Sequence, residues 1–411
     1  MDTLKVRDAK DVEEVVRAAV AGEQPLEVIG HGSKRAIGHP MATNALLDVS
    51  ALNAVSSYEP NELIITVQAG APLADVQSLI DAKNQQFAFE PMDTSVLFGT
   101  AGAGTIGGMI GAGLAGPRRI KAGGIRDHLL GAHAVSGFGD SFKTGGRVVK
   151  NVTGYDLCKL LTGSWGTLAV MSEVTLKVMP KPEAERTLLL RGLDDVTANK
   201  AMTAALGSPF DVSGAAHLPG SALRSGGGPL AGLASGQPVT LVRLEGISAS
   251  AAHRAASLSQ TLSSFGAVDS LADDASAAIW SALRDVVPFA ANGALGAWPV
   301  WRIVCPPASG GALGQALSRA TGGDVIYDWG GGLIWAAVPP GADAQATLVR
   351  GQVEAIGGHA TLIRATEDVR RAVDVFQPQA AGLAALGERV RASFDPRSVL
   401  NRGRMMRGGA A

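Results

Sequence analysis

Thr105-Ile106-Gly107-Gly108-Met109-Ile110-Gly111-Ala112-Gly113 opens the stretch on which the reading of this chain turns, and the stretch runs on to Pro180. Arg118-Arg119-Ile120-Lys121 and Gly124-Ile125-Arg126-Asp127 come next, then Lys150-Asn151-Val152-Thr153-Gly154-Tyr155-Asp156-Leu157 and Gly163-Ser164-Trp165-Gly166-Thr167-Leu168. Glycine at this density lets backbone amides come close to a bulky ligand, because no Cβ intervenes. Residues 116–160 hold eight Lys and Arg against three Asp, a local charge of about +5 in a chain whose formal net charge is −1. A glycine-rich, locally basic segment in a near-neutral chain points to an anionic ligand.

The rest of the composition narrows the class. A chain of 411 residues exceeds one ordinary core, so two domains are expected. Hydrophobic content of 46 % and charged content of 18 % describe a globular protein, not a disordered one. The 53 glycines are about twice the usual share and follow no collagen period, so they mark turns and close approaches. The near-neutral balance gives no case for nucleic acid. Cys158 and Cys305 form no CxxC and cannot supply a four-thiolate cluster or zinc site, so no metal is expected. The start Met1-Asp2-Thr3-Leu4-Lys5 shows no apolar leader, and no apolar run reaches the roughly 18 residues that span a bilayer. A cytoplasmic location is the expectation, with peripheral attachment at the inner membrane only through partners.

Local patterns place the elements. Val12, Val15, Val16, Ala19 and Val20 recur at helical spacing, Asp11 with Glu14 resembles a capping box, and Pro25 ends the helix. Leu26-Glu27-Val28-Ile29 reads as a strand running into the turn Gly30-His31-Gly32-Ser33-Lys34, whose successive N–H groups suit a phosphate. The Walker A spacing is absent. Strands are expected over 45–49, 63–68, 129–135, 147–150 and 170–178, with helices through Leu73, Val76, Leu79 and Ile80 and over 155–161. Pro180 and Pro182 mark a boundary. Beyond it, 187–190, 239–244, 300–304 and 333–338 read as strands and 194–206 and 251–265 as helices, with a Gly/Ser loop over 225–236. A last helix is marked by Leu383, Leu386, Val390 and Phe394.

A formal GxGxxG sits at 102–107, with Asp127 at the spacing a dinucleotide fold uses. Such a fingerprint needs an apolar strand before the glycines and a helix after them. Glu90-Pro91-Met92-Asp93-Thr94 precedes and further glycines follow, so the nicotinamide-Rossmann reading is set aside.

The order of motifs resembles the FAD-binding domain of the vanillyl-alcohol oxidase / p-cresol methylhydroxylase family. The residues that carry it are the turn at 30–34, Thr-Ile-Gly-Gly (105–108), Gly-Gly-Ile-Arg-Asp (123–127), Lys-Asn-Val-Thr-Gly-Tyr-Asp-Leu (150–157), Gly-Ser-Trp-Gly-Thr-Leu (163–168) and the tail Phe394-Asp395-Pro396 with Leu400-Asn401-Arg402-Gly403-Arg404. Within the family, the Lys-Asn-Val-Thr-Gly-Tyr-Asp run and the length look most like the smaller flavin subunit of bacterial glycolate oxidase. The resemblance implies an α+β fold: a two-part FAD-binding domain over 1–180, an α+β cap domain over 181–380, and a tail over 381–411 packing back on the first domain. It implies FAD as cofactor, with Gly30, His31, Gly32, Ser33 and Lys34 at the pyrophosphate. Thr105, Ile106, Gly107, Gly108, Gly111 and Gly113 would lie along the ribityl chain and ring, Gly123, Gly124 and Asp127 beside the ring, and the backbone of Val170 near the adenine.

Departures from the family pattern carry information. Some relatives attach FAD through a histidine at the position of Ser33, so the flavin here is expected to be non-covalent. His31 stands where glycine is usual, Ala169 replaces a common glycine, Gly113 stands where dehydrogenases of 2-hydroxy acids often have asparagine, and Arg402 replaces proline. Relatives that oxidise 2-hydroxy acids alone carry a His-x-Gly-Asp-Gly-Asn-x-x-His set, and the seven histidines here are scattered. His128, His133, Lys150 and Tyr155 are the nearest polar groups to the flavin motifs, each with an adequate structural role, so no catalytic residue is assigned. The resemblance therefore implies a flavin subunit of a glycolate-oxidising complex. Its partners would be a larger flavin subunit and an iron–sulfur subunit, the latter receiving the electrons. The alternatives are a stand-alone FAD-dependent dehydrogenase of a small 2-hydroxy acid and a subunit that no longer holds flavin.

Overall fold

The computed structural model describes residues 2–43, 45–147, 154–233 and 236–406. The run Lys150-Asn151-Val152-Thr153 and most of the strand expected over 147–150 lie outside them. The N-terminal part begins with three parallel strands, Asp2–Lys5, Leu26–Ile29 and Ala45–Asp48, the last in the centre. Helix Ala9–Ala21 connects the outer two and buries Val12, Val16 and Ala19 against Val6, Leu26 and Leu47. Its cap lies one turn earlier than the spacing suggested: Asp8 accepts the Asp11 amide at 2.9 Å. Asp11 is instead engaged by the Arg7 guanidinium at 2.8 Å.

Five antiparallel strands follow, in the order Val55–Glu59, Ile64–Gln68, Ala169–Lys177, Leu129–Ser136, Ser141–Gly145. Ile65 and Val67 alternate inward and pack with Leu73, Val76 and Ile80 of helix Leu73–Asp81. The glycine-dense stretch at 106–112, which has no helical composition, is a seven-residue helix, Ile106–Ala112. Thr105 caps it by accepting the Gly108 amide at 3.2 Å, and Ile106, Met109 and Ile110 are buried beneath it. A helix thus does follow the GxGxxG, but the residues before it form only the short helix Ser95–Phe98 and irregular chain.

The remainder is built on eight antiparallel strands in the order Val268–Ala272, Ala184–Arg191, Val239–Gly246, Val212–Leu218, Asp324–Asp328, Leu333–Ala337, Val300–Val304, His359–Arg364. Successive side chains on a strand face opposite sides. Leu188, Val242, Tyr327, Ile334 and Leu362 meet helices Asp195–Leu206, Ser248–Leu262, Gly310–Thr321 and Ala346–Glu354. Their neighbours Leu189, Leu241, Ile326, Trp335 and Ile363 belong to another cluster, which includes Ile37, Met92, Leu97, Ala112 and Trp165 of the N-terminal part. Both faces of this sheet are therefore covered, and Val212–Leu218 and Leu333–Ala337 are buried along their whole length. Residues 225–236 are less loop-like than expected, with helix Gly220–Ser225 and a 3-10 turn Gly228–Leu233.

A charged network joins the two parts. Arg243 donates to Glu90 at 2.8 and 3.0 Å, and Arg118 donates to Glu245 at 2.7 and 2.9 Å. The chain then leaves helix Ala381–Phe394 and returns to the N-terminal sheet. Leu26 donates to the Val399 carbonyl at 2.7 Å, Asn401 donates to the Leu26 carbonyl at 3.0 Å, and Leu400 is buried in the N-terminal core.

Candidate functional site

The strand Leu26–Ile29 ends at the turn 30–34, which forms one wall of a cavity; Thr105, Gly107, Gly108, Gly111 and Ala112 form another. Trp165, Gly166, Ala169, Val170 and Met171 close a third side, and Asn401 and Arg404 of the tail close the last. Of the residues expected to contact a cofactor, Gly30, His31, Gly32, Ser33, Lys34, Thr105, Gly107, Gly108, Gly111 and Val170 line this one cavity.

The turn offers unspent donors. The Lys34 carbonyl accepts the Ile37 amide and the Gly32 carbonyl accepts that of Arg35. The amides of His31, Gly32, Ser33 and Lys34 themselves meet no acceptor among the described residues. Four neighbouring N–H groups of this kind form an anion-binding concavity. The Lys34 ammonium is buried, donates to the Ala103 carbonyl at 3.1 Å and to Ser33 Oγ at 3.3 Å, and pairs with no carboxylate among the described residues. Burial pushes its pKa down to about 8.

Arg404 completes the charge of the cavity. Its Nη2 donates to the Lys34 carbonyl at 2.6 Å, its guanidinium lies 5.5 Å from the centre of the Trp165 ring, and its buried Nε has no partner among the described residues. Burial lowers this group too, to about 10. The nearest acid, Glu27, is held by Arg35 through two hydrogen bonds of 2.7 and 2.6 Å. Asn401 braces the same wall, accepting the Val28 amide at 2.7 Å and donating to the Trp165 carbonyl at 2.7 Å. Arg404, Asn401 and Trp165 were not singled out as cofactor contacts from the sequence. The tail motif Leu400-Asn401-Arg402-Gly403-Arg404 and the run 163–168 were the signals that pointed to their segments.

The helix 106–112 contributes differently from its glycine count. Its first amides are already spent, Ile106 on the Ala71 carbonyl at 2.9 Å and Gly107 on the Ala69 carbonyl at 2.7 Å. A Cβ on Gly107 would come within 2.9 Å of Ala69, so this glycine serves the packing of helix on sheet. A Cβ on Gly111 would meet nothing nearer than the Gly166 amide nitrogen at 4.0 Å, so this glycine keeps the cavity open.

Five expected residues lie outside the cavity lining. Ile106 is a core residue. Gly113 ends the helix with φ of +67° and packs on Gly163. Gly123, Gly124 and Asp127 form a local turn in which Asp127 accepts the Gly124 amide at 2.8 Å. Nor do the polar groups near the flavin motifs line it: His128 is buried, shares a 2.9 Å hydrogen bond with the Ala122 carbonyl and rests on Phe89, while His133 and Tyr155 are exposed. Lys150 lies outside the described residues. The basic surplus of 116–160 is partly consumed within the chain, Arg118 by Glu245 and Glu90, and Lys121 by Asp211.

Known proteins share this architecture. The family described as FAD binding domain matches residues 3–145, and that described as FAD linked oxidases, C-terminal domain, matches residues 200–318. The glycolate oxidase subunit GlcE of Escherichia coli is 31 % identical over 393 residues, covering 95 % of each chain. The glycolate oxidase subunit GlcD of Bacillus subtilis is 30 % identical over 184 residues, 44 % of this chain and 38 % of its own. Substrate-bound p-cresol methylhydroxylase has the same fold at 14 % identity, with a TM-score of 0.68 over 98 % of this chain and 88 % of its own. An alkyldihydroxyacetonephosphate synthase superposes with a TM-score of 0.69 at 16 % identity, over 97 % and 76 %. With its turn, capped helix and tail arranged around one cationic cavity, and with GlcE matching it over 95 % of each chain, the chain belongs to the FAD-linked oxidoreductases of the p-cresol methylhydroxylase-type fold, in the family that includes the E. coli glycolate oxidase subunit GlcE.

Proposed function

We propose that the chain is the flavin subunit of a glycolate-oxidising assembly, holding FAD non-covalently and passing electrons between a larger flavin subunit and an iron–sulfur partner. Residues 1–180 would hold the cofactor, 181–380 would cap it and the tail from 381 would close its pyrophosphate end. One observation carries the cofactor assignment: the turn 31–34, with its four unspent amides, and the cations Lys34 and Arg404, which pair with no carboxylate among the described residues, line one cavity together with Gly107, Gly108, Gly111 and Val170. A dianionic pyrophosphate matches that set, because burying either cation without an anion is costly. Ser33 at the cavity wall offers no imidazole for a covalent link to the flavin. FAD supplies reversible two-electron chemistry together with one-electron relay.

The relatives named as glycolate oxidase subunits, one of them matched over 95 % of each chain, support the assembly. The relay role is part of the proposal: with two cysteines the chain has too few thiolates for a four-cysteine cluster, so the iron–sulfur centre is assigned to a partner.

The test is a visible spectrum of the purified chain before and after anaerobic glycolate, followed by acid precipitation. A flavin spectrum that stays oxidised, with the flavin released into the supernatant, is the expected result. Bleaching by glycolate would make the chain a dehydrogenase by itself. Flavin retained in the pellet would overturn non-covalent binding, and failure to take up added FAD would overturn the site.

A further inference from the structure

Two cations meet on one aromatic ring where the eight-stranded sheet closes on the N-terminal part. The guanidinium carbon of Arg119, in the short helix Arg119–Ala122, lies 4.4 Å from the centre of the Trp329 ring. That of Arg302, on strand Val300–Val304, lies 5.1 Å from the same centre and 6.0 Å from that of Trp335. Burial pushes Arg302 down to about 10, and the like charge of Arg119 adds to it.

Neither guanidinium has a carboxylate within ion-pair distance among the described residues, and every Asp and Glu of the chain is among them. The closest acids are spent elsewhere: Asp127 accepts the Gly124 amide at 2.8 Å and Asp328 accepts the Trp329 amide at 2.7 Å. Arg118 and Arg243 make the contrast, since both are met by Glu90 and Glu245. The fold supplies counter-ions to one arginine pair and leaves the other without any.

The ring on which both cations rest is held firmly. Trp329 has φ of +53°, uncommon for a bulky residue, and a strained residue persists only where its surroundings enforce it. Its Nε1 donates to the Gly116 carbonyl at 3.0 Å, and the strand register sets Arg302 opposite Trp335. Arg119 and His359 are exposed and Arg302 is half-buried, so the pair opens to solvent on one side. None of these residues lines the cavity of the 30–34 turn.

We propose that Arg119 and Arg302 form a second anion site, which takes a small carboxylate and uses Trp329 as its platform. Guanidinium groups present paired N–H donors that match the two oxygens of a carboxylate, and the indole faces hold the cations without neutralising them.

The site is tested by titrating glycolate, and separately oxalate, into the purified full-length chain at low salt. Binding is read by calorimetry and tryptophan fluorescence. One saturable site is expected, weakened by added chloride. Arg119→Gln, an exposed position that leaves the core intact, should weaken binding about tenfold or more, the loss of one charge-assisted hydrogen bond. Arg302→Gln should do the same, with Arg302→Lys recovering part of the affinity. Flavin content read in the same samples should not change in Arg119→Gln, which separates failure here from failure of the cofactor site. No saturable binding of either anion by the unaltered chain, or unchanged binding in both glutamine variants, would overturn the proposal.

Discussion

Arg404 donates from Nη2 to the main-chain carbonyl of Lys34 at 2.6 Å, joining two positions 370 residues apart into one end of the cavity. The contact ties the turn to the tail and puts a second cation in the wall of the cavity that Lys34 lines, with no ion-paired carboxylate on either among the described residues. The tail is in this sense part of the cavity wall.

Arg404→Gln should therefore weaken FAD binding by about tenfold to a hundredfold, the range for losing a charge-assisted contact. Equilibrium dialysis against FAD measures it. Unchanged affinity would remove Arg404 from the site.

FAD affinity should fall as pH rises through about 8, where free Lys34 loses its proton. The sign follows from linkage: an anion binds the ammonium and not the amine, so affinity is full below that pH and declines above it. Lys34→Met should abolish this part of the pH profile. A flat profile in the unaltered chain would exclude Lys34 from anion binding.

Gly111 and Gly107 should respond in opposite ways. Gly111→Val places its side chain in open cavity space, so flavin content should be lost while the melting temperature holds. Gly107→Val drives a Cβ against Ala69 and should destabilise the fold by about 1–3 kcal/mol or more. Thermal melts with flavin quantitation separate the two.

Asn401→Ala leaves the Val28 amide and the Trp165 carbonyl without their partner, at a position 2 % exposed. A loss of about 1–3 kcal/mol is expected from each buried group left unsatisfied, read as a lower denaturation midpoint.

The joint between the two parts should weaken in acid. Burial alone would raise Glu245 and Glu90, but Arg243 and Arg118 overrule it and hold Glu245 at about 2 and Glu90 below its usual 4.5. Depressed carboxylates contribute stability that is present above about pH 4.5 and lost as pH falls towards 2. Melting temperatures across that range should drop steeply, and the slope should flatten in Glu245→Gln.

Much was legible from local pattern. Helix Ala9–Ala21, strand Leu26–Ile29 and helix Leu73–Asp81 each show one apolar face or run at a clear period, and the turn at 30–34 carries its donors in consecutive residues. The helix Ile106–Ala112 was hidden because three of its seven residues are glycine, and its stability comes from the Thr105 cap and the buried Ile106 and Ile110. Strand Val212–Leu218 was hidden for another reason: Val-Ser-Gly-Ala-Ala-His-Leu has no alternation, since both its faces are covered. The last helix was legible from Leu383, Leu386, Val390 and Phe394, while only the structure shows that helix Ala381–Phe394 leaves Leu383 and Leu386 exposed.

The sequence by itself determined where the glycine motifs and their donors stand along the chain, because those features depend on neighbours a few residues apart. Only the tertiary structure decided which charges remain free. Arg118 and Lys121, inside the basic stretch, are answered by Glu245 and Asp211. Lys34, Arg404, Arg119 and Arg302 have no carboxylate partner among the described residues, and they meet as two pairs, Arg404 on the main chain of Lys34 across 370 positions and Arg302 with Arg119 on the Trp329 ring. Charge pairing is a property of distance in space, and no local pattern encodes it.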